Sequence, residues 1–318
     1  MQTELGWVIS GPLAYKQPER AQEVQVNFVG TDSVKTECLE RDVQRLWDLE
    51  TLGVRESSEV YEDFVDSIGF NGNRYSVKLP WKEGHDSLPR NYELSLSRLK
   101  GQIKKLRKEP EVLEEYNAVI KEQLDSGVIE KVTEMEKADK VHYIPHLAVV
   151  RKEASTTKVR VVYDASAKVG TGGTSLNDCL HVGPSLNPLL FDILLRFREK
   201  RVALVGDIEK AFLNIEVDKR DRDCLRFLWC DDVYKPDSKI VVYRFCRVVL
   251  GLNASPFLLN ATLRYHVSKY KDEDPEFARK MLEGFYVDDL VTGEKNSNAA
   301  FHLYETSRQR MAAGGFKL

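Results

Sequence analysis

Asp288 and Asp289 stand side by side in FYVDDLV, with apolar residues on both flanks. Adjacent carboxylates at the bend of a hydrophobic hairpin repel one another and resist desolvation unless a cation offsets them. A third carboxylate, Asp207, closes the apolar run VALVGD and precedes IEKAFLNI. Three carboxylates at the ends of apolar strands form the donor set that holds two hard divalent cations about 3.5–4 Å apart for an in-line phosphoryl displacement. Each also has an ordinary reading, since Asp-Asp makes a turn and a lone Asp caps a strand. The 81-residue spacing from Asp207 to Asp288 does not choose between the readings.

Other chemistry-bearing residues point elsewhere. His142-x-x-x-His146 would place two imidazoles on one side of a helix, but Pro145 and the β-rich context make the segment extended, so it is not a metal motif. The Gly-rich KVGTGGTSLND (168–178) matches neither phosphate-binding glycine signature and reads as a loop. Ser255 lacks a G-x-S-x-G context and reads as the cap before Pro256 in the first turn of a helix. Five widely separated cysteines without a C-x-x-C pair indicate neither a disulfide framework nor a zinc ribbon, which predicts a reducing compartment.

The elements that must position the carboxylates are short. HYIPHLAVV, KVRVVYDAS, RVALVGDI, SKIVVYRFCRVV and EGFYVDDLVTG read as strands, separated by helical stretches near 186–199, 255–270 and 297–313. Upstream, TECLERDVQRLWDLETLG reads as a helix with Leu39, Val43, Leu46 and Trp47 on one face, and RYSVKLPW alternates as a strand until Pro80. Leu99, Ile103 and Leu106 share one helical face; Val112, Tyr116, Val119, Ile120, Gln123 and Leu124 line a second helix, which Gly127 stops. Strands and helices interleave without a strict βαβ repeat. That predicts an α+β fold, an antiparallel sheet carrying helices on one face.

The 318 residues suffice for two or three domains, and 42% hydrophobic content is globular. No stretch approaches the roughly 20 apolar residues that span a bilayer, and MQTELGWVISGPL has no basic segment followed by an apolar core. Neither a membrane nor a secreted protein is predicted. The net charge of −3 argues against holding nucleic acid by bulk charge alone, but the distribution is uneven. Residues 1–66 carry 14 acidic against 6 basic side chains, a net of −8 that leaves +5 for the remainder. Basic residues cluster at RLKGQIKKLRK (98–108), where a solvated helix face is the simplest account, and around Arg151, Lys152, Lys158 and Arg160.

KVRVVYDAS (158–166), DIEKAF (207–212), LGLNASPFLLNATL (250–263), YVDD (286–289) and GGFKL (314–318) occur in the order of the successive motifs of reverse transcriptases. The wording of LPW (79–81), LPRNY (88–92), RVVYDASAK (160–168) and SPFLLNATLRYH (255–266) resembles the Pol polyproteins of BEL/Pao-type long-terminal-repeat retrotransposons. The resemblance covers about residues 40–318. LGWVISG also looks like the tail of that family's retropepsin-like aspartic protease, although no D-[ST]-G triplet is present to carry protease activity over.

The resemblance implies an RNA-directed DNA polymerase with roles for particular residues. Asp207, Asp288 and Asp289 would hold two Mg²⁺ ions (Mn²⁺ a substitute), with the Ile208 carbonyl as a further ligand and no side chain needed as general base. Phe212 would lie beneath the incoming sugar and exclude a 2′-hydroxyl, though on the residues alone it reads as a core Phe. Arg160 would lie against the incoming base and grip phosphate; Arg151 and Lys152 fall where a second triphosphate-binding cation is expected, and surface solvation is the alternative for each. Gly251 would permit close backbone approach to template and nucleotide at the start of a helix that includes Ser255 and Pro256. Tyr286 would pack near the primer terminus and Val287 under the nascent pair. Leu250 stands where retroviral polymerases carry Gln, so that side chain's polar contacts do not transfer.

The implied architecture is the fingers and palm of a right-hand polymerase without its thumb. Residues 1–40 would be protease remnant and linker, 41–130 a helical extension, 131–200 fingers, and 201–318 palm with a fingers insertion near 228–249. Expected partners are an RNA or DNA template with its primer, deoxyribonucleoside triphosphates, and the rest of Pol (thumb, RNase H, integrase), in a cytoplasmic retroelement particle. A catalytically silent, retroelement-derived binding or structural protein is the alternative from another class; an RNA-dependent RNA polymerase is disfavoured by Phe212 and YVDD.

Overall fold

The computed structural model describes residues 59–133, 140–150 and 159–318, together with the backbone of two short strands near the amino terminus. Contacts divide the chain into units at 1–51 and 52–318. In the first, β1 (Gln2–Thr3) pairs antiparallel with β2 (Gly6–Trp7). The helix expected over 36–53 lies outside the described residues.

The second unit opens with α1 (residues 59–67), which buries Val60 and Phe64, followed by β3 (Gly69–Phe70) and β4 (Tyr75–Val77). α2 (Tyr92–Leu106) buries Leu99, Ile103 and Leu106 as its spacing predicts, leaving the basic residues of 98–108 in solvent. α3 (Pro110–Asp125) buries Leu113, Tyr116 and Ile120; its inner face is rotated from the expected one, so Leu113 replaces Val112 and Leu124 is exposed. Gly127 takes φ +66° just past the helix, the left-handed stop that glycine tolerates.

Then come β5 (Ile129–Lys131), β6 (His146–Val150), β7 (Val159–Tyr163), α4 (Leu190–Glu199) and β8 (Val202–Asp207). β9 (Glu216–Val217), β10 (Arg226–Cys230) and β11 (Ile240–Phe245) lead to α5 (Ser255–Ser268) and α6 (Pro275–Gly284). β12 (Phe285–Tyr286), β13 (Asp289–Glu294) and α7 (Ser297–Ala313) complete the order. The pairings β10–β11–β5, β12–β13–β8, β6–β7 and β3–β4 are antiparallel, and β9 joins β4 in parallel. The α+β class is the one the sequence predicts, but in place of one antiparallel sheet with helices on one face the described residues form several small sheets.

One buried cluster runs through this unit, densest around the rings of Tyr116, His146, Tyr163, Phe227, Trp229 and Phe245. His146 is buried, with its Nε2–H donating to the Leu228 carbonyl at 2.8 Å and Nδ1 accepting from the Tyr116 hydroxyl. Burial pulls its pKa down to about 4, so the ring stays neutral. His142 is buried too and bonds the Pro89 carbonyl through Nδ1 at 2.6 Å. Both imidazoles therefore serve the core. Cys179, Cys224, Cys230 and Cys246 are free and buried, and Cys38 lies outside the described residues. Among the described residues, no helix is long and apolar enough to cross a membrane.

Candidate active site

The sheet β12–β13–β8 carries the carboxylates. Alternation along β8 turns Val202 and Leu204 toward the helices and Ala203, Val205 and Asp207 to the open face, where Val205 is 69% exposed. On the covered face, Phe285 and Leu290 are buried, with α6 and α7 packed against this sheet. The register sets Asp289 opposite Asp207 and Tyr286 opposite Asp289. Since directly paired residues share a face, Tyr286, Asp289 and Asp207 form one row across three strands.

Asp288 joins them through the turn. The two residues between β12 and β13 are Val287 and Asp288, and Val287 has φ +59° while Asp288 does not have a positive φ. This is the sign pattern of a type II′ hairpin turn, whose first central position ordinarily takes Gly. The Val287 N–H donates to Asn187 Oδ1 at 3.0 Å, and the Asp288 carbonyl accepts from the Ile208 N–H at 3.1 Å. The last hydrogen bond ties the turn to the residue after Asp207. Partial desolvation, reinforced by the charges of Asp288 and Asp289, holds the Asp207 carboxyl above the usual carboxylate range.

Four expected site residues, Asp207, Ile208, Asp288 and Asp289, are thus brought together with Tyr286 and Val287. Their donors are hard oxygens, the chemistry that Mg²⁺ prefers. Among the described residues no three His, Cys, Asp or Glu side chains are already arranged to hold a metal ion.

Phe212 sits in a 3₁₀ turn, Ala211–Asn214, just after β8. Its ring is half-buried against the core. α5 packs against this turn, which links the carboxylate sheet to a second group of expected residues.

That second group surrounds the start of α5. Gly251 has φ +118°, and a Cβ there would lie 2.2 Å from the Tyr163 carbonyl oxygen. The close approach that requires glycine is therefore to the end of β7, within the chain itself. Asn177 locks the same segment by donating to the Gly251 carbonyl at 3.1 Å and accepting from the Asn253 N–H at 2.9 Å. Ala254, not Ser255, occupies the helix N-cap position, and Ser255 is buried with its hydroxyl donating to the Val249 carbonyl at 2.7 Å. The expected cap is therefore corrected to a buried brace, while Pro256 is exposed in the first turn. Leu250 is 63% exposed.

Arg160 lies on β7, exposed and opposite Val149 of β6. Leu147, Val149 and Val162 share this exposed hairpin face. Arg151, Lys152 and Lys158 lie outside the described residues. Arg98 of the basic cluster pairs with Asp164 at 2.6 Å. Asn187 and Asn177 are structural partners of the site that sequence reading missed. The only local signal is an Asn before Pro188 and another in SLND, each facing a partner 76 to 100 residues away.

No family model matches the chain, and no curated protein does. Among solved structures, it is similar to the foamy viral protease-reverse transcriptase dRH in complex with double-stranded DNA, at 17% identity and a TM-score of 0.47. The match covers 64% of this chain and 30% of that one, so the chain spans about a third of that protein's length. This is a weak likeness, of fold alone.

Proposed function

We propose that the chain is the reverse transcriptase portion of a BEL/Pao-type retrotransposon Pol polyprotein, adding deoxyribonucleotides to a primer on an RNA or DNA template. The observation that carries this reading is the pairing of Asp207 with Asp289 across β8 and β13, with Asp288 in the adjoining turn. The ordered motifs around these residues support it. In this reading residues 131–200 act as fingers and 201–318 as palm.

Asp207, Asp288 and Asp289, with the Ile208 carbonyl, would hold two Mg²⁺ ions. Bound there, the ions would lower the pKa of the primer 3′-hydroxyl and offset the charge of the triphosphate. The chain's own contribution is positioning. The β8–β13 ladder fixes two carboxylates opposite one another, and the hydrogen bond from Ile208 to Asp288 fixes the turn that carries the third. Tyr286 lies in the same row, beside the place for the primer end. Phe212, rising from the turn after Asp207, limits room at the sugar. Arg160 supplies a planar, permanently charged group for phosphate.

Primer extension on RNA and DNA templates with deoxyribonucleoside triphosphates and Mg²⁺ tests the reading. Metal-dependent products should form on both templates. Binding of primer-template without any addition would instead favour a silent nucleic-acid-binding protein.

A further inference from the structure

The Val287 N–H points at a side chain 100 residues away, the Asn187 oxygen at 3.0 Å. Val is β-branched, and φ +59° is a backbone region that such residues rarely adopt. Val287 is also partly buried against the core. Asn187 lies outside regular secondary structure, on the lead-in to α4, and it is half-buried. The same stretch of chain also meets the end of α6, two residues before β12, where the Arg196 guanidinium of α4 donates to the Glu283 carbonyl at 3.0 Å. Ile193, between these two contacts, is buried and fixes α4 in place. Residues 187–196 thus hold both the turn that carries Asp288 and the end of the helix that leads into β12.

We propose that Asn187 is a positioning residue for the carboxylate centre: its side-chain oxygen holds Val287 in the left-handed conformation and so sets where Asp288 and Asp289 stand relative to Asp207. The proposal rests on reading those carboxylates as metal-holding. Without the Asn187 acceptor, the Val287 N–H loses its partner and the turn is free to relax toward conformations that valine prefers. Such relaxation moves Asp288, whose carbonyl is tied to Ile208, and with it the spacing of the donor set. Asp and Asn both present an acceptor oxygen at the same distance from the backbone, whereas Ala presents none. Glycine at 287 needs no external support, because it occupies positive φ without steric cost.

The test combines amide hydrogen exchange at Val287 with Mn²⁺ binding measured by electron paramagnetic resonance and with primer extension. Asn187→Ala should accelerate exchange at Val287 and weaken Mn²⁺ binding roughly 3- to 10-fold, the range of a lost hydrogen bond. Asn187→Asp should retain the slow exchange and should not weaken Mn²⁺ binding. In a Val287→Gly background, Asn187→Ala should cost much less Mn²⁺ affinity than it does in the wild type. If Asn187→Ala does not fold, Asn187→Gln, which displaces the oxygen by one methylene, supplies the same contrast with Asn187→Asp. Unchanged exchange and Mn²⁺ affinity in the Ala or Gln variant would overturn the proposal, as would an equal loss in both backgrounds at 287. Absence of nucleotide addition by the wild type would sink the polymerase reading alone, because exchange at Val287 still decides the clamp.

Discussion

Asp207 and Asp289 face each other directly in the antiparallel pair β8–β13, both on the open side of the sheet. Like charges in that relation destabilise a strand pair. The neighbouring pairs, Val205 with Val291 and Gly206 with Leu290, are uncharged. The cost is thus confined to the end of the ladder where the Asp288 turn adds a third carboxylate. Under the proposed function, a cation placed there would convert the repulsion into a binding site.

Desolvation, reinforced by this repulsion, predicts a pH-dependent penalty. Asp207 has its folded pKa above its unfolded value, so the native state binds the proton more readily than the unfolded chain. Its contribution to stability is therefore lost as pH rises from the ordinary carboxylate range, near 4, through the raised value. Asp207→Asn should melt at a higher temperature than the wild type at pH 7 in EDTA, with the gain shrinking toward pH 4. Thermal melts across that range check it; a difference independent of pH would show that neither desolvation nor the neighbouring carboxylates raise the Asp207 pKa.

Sugar selection should depend on Phe212. Its half-buried ring, placed one short turn after Asp207, is the proposed barrier to a 2′-hydroxyl. Phe212→Val should admit ribonucleotides and narrow the preference for deoxyribonucleotides. Competitive incorporation measures this ratio, and an equal fall with both sugars would make Phe212 a core residue only.

Gly251 should prove structural. Adding a methyl there drives it into the Tyr163 carbonyl at an already positive φ. Gly251→Ala should destabilise the protein by on the order of 1–3 kcal/mol, as overpacking does, which urea unfolding reads directly. Full stability with weakened nucleotide binding would return the role to ligand approach.

Acid should loosen the core beneath β6. His146 has a folded pKa near 4, below the ordinary histidine value, so the unfolded chain binds more protons between the two. Stability should therefore fall as pH drops from about 6.5 toward 4. Tyr116→Phe removes the hydroxyl that Nδ1 accepts from, at a cost of about 1–3 kcal/mol for the unpaired buried acceptor. Denaturant melts of both proteins at pH 5 and 7 check this, and an identical stability at the two pH values would contradict it.

The legible parts of this chain are those where local pattern and fold agree. β8 and the β12–β13 hairpin declare themselves by apolar residues ending in aspartates, and α2 by Leu99, Ile103 and Leu106 at helical spacing. β10 hides because all five of its residues are buried, which erases the alternation that marks a half-exposed strand. α6 carries its own start signals, Asp274 accepting from the Phe277 N–H and Pro275 in the first turn, but it is only ten residues long. Ser255 reads as a cap from sequence, yet the chain's path places Ala254 there and takes the hydroxyl into the core. The Asn187 and Asn177 contacts are set by tertiary approach, and no local pattern contains them.

The central claim is that Asp207, Asp288 and Asp289 form one metal-dependent centre for nucleotide addition. Single-turnover addition of one deoxyribonucleotide by wild type and Asp288→Asn, at saturating primer-template and Mg²⁺, tests it most directly. Removing the carboxylate should slow addition by at least roughly the 10²–10³-fold typical of losing one preorganised transition-state contact, while primer-template affinity stays largely intact. Addition by Asp288→Asn at the wild-type rate would contradict the account.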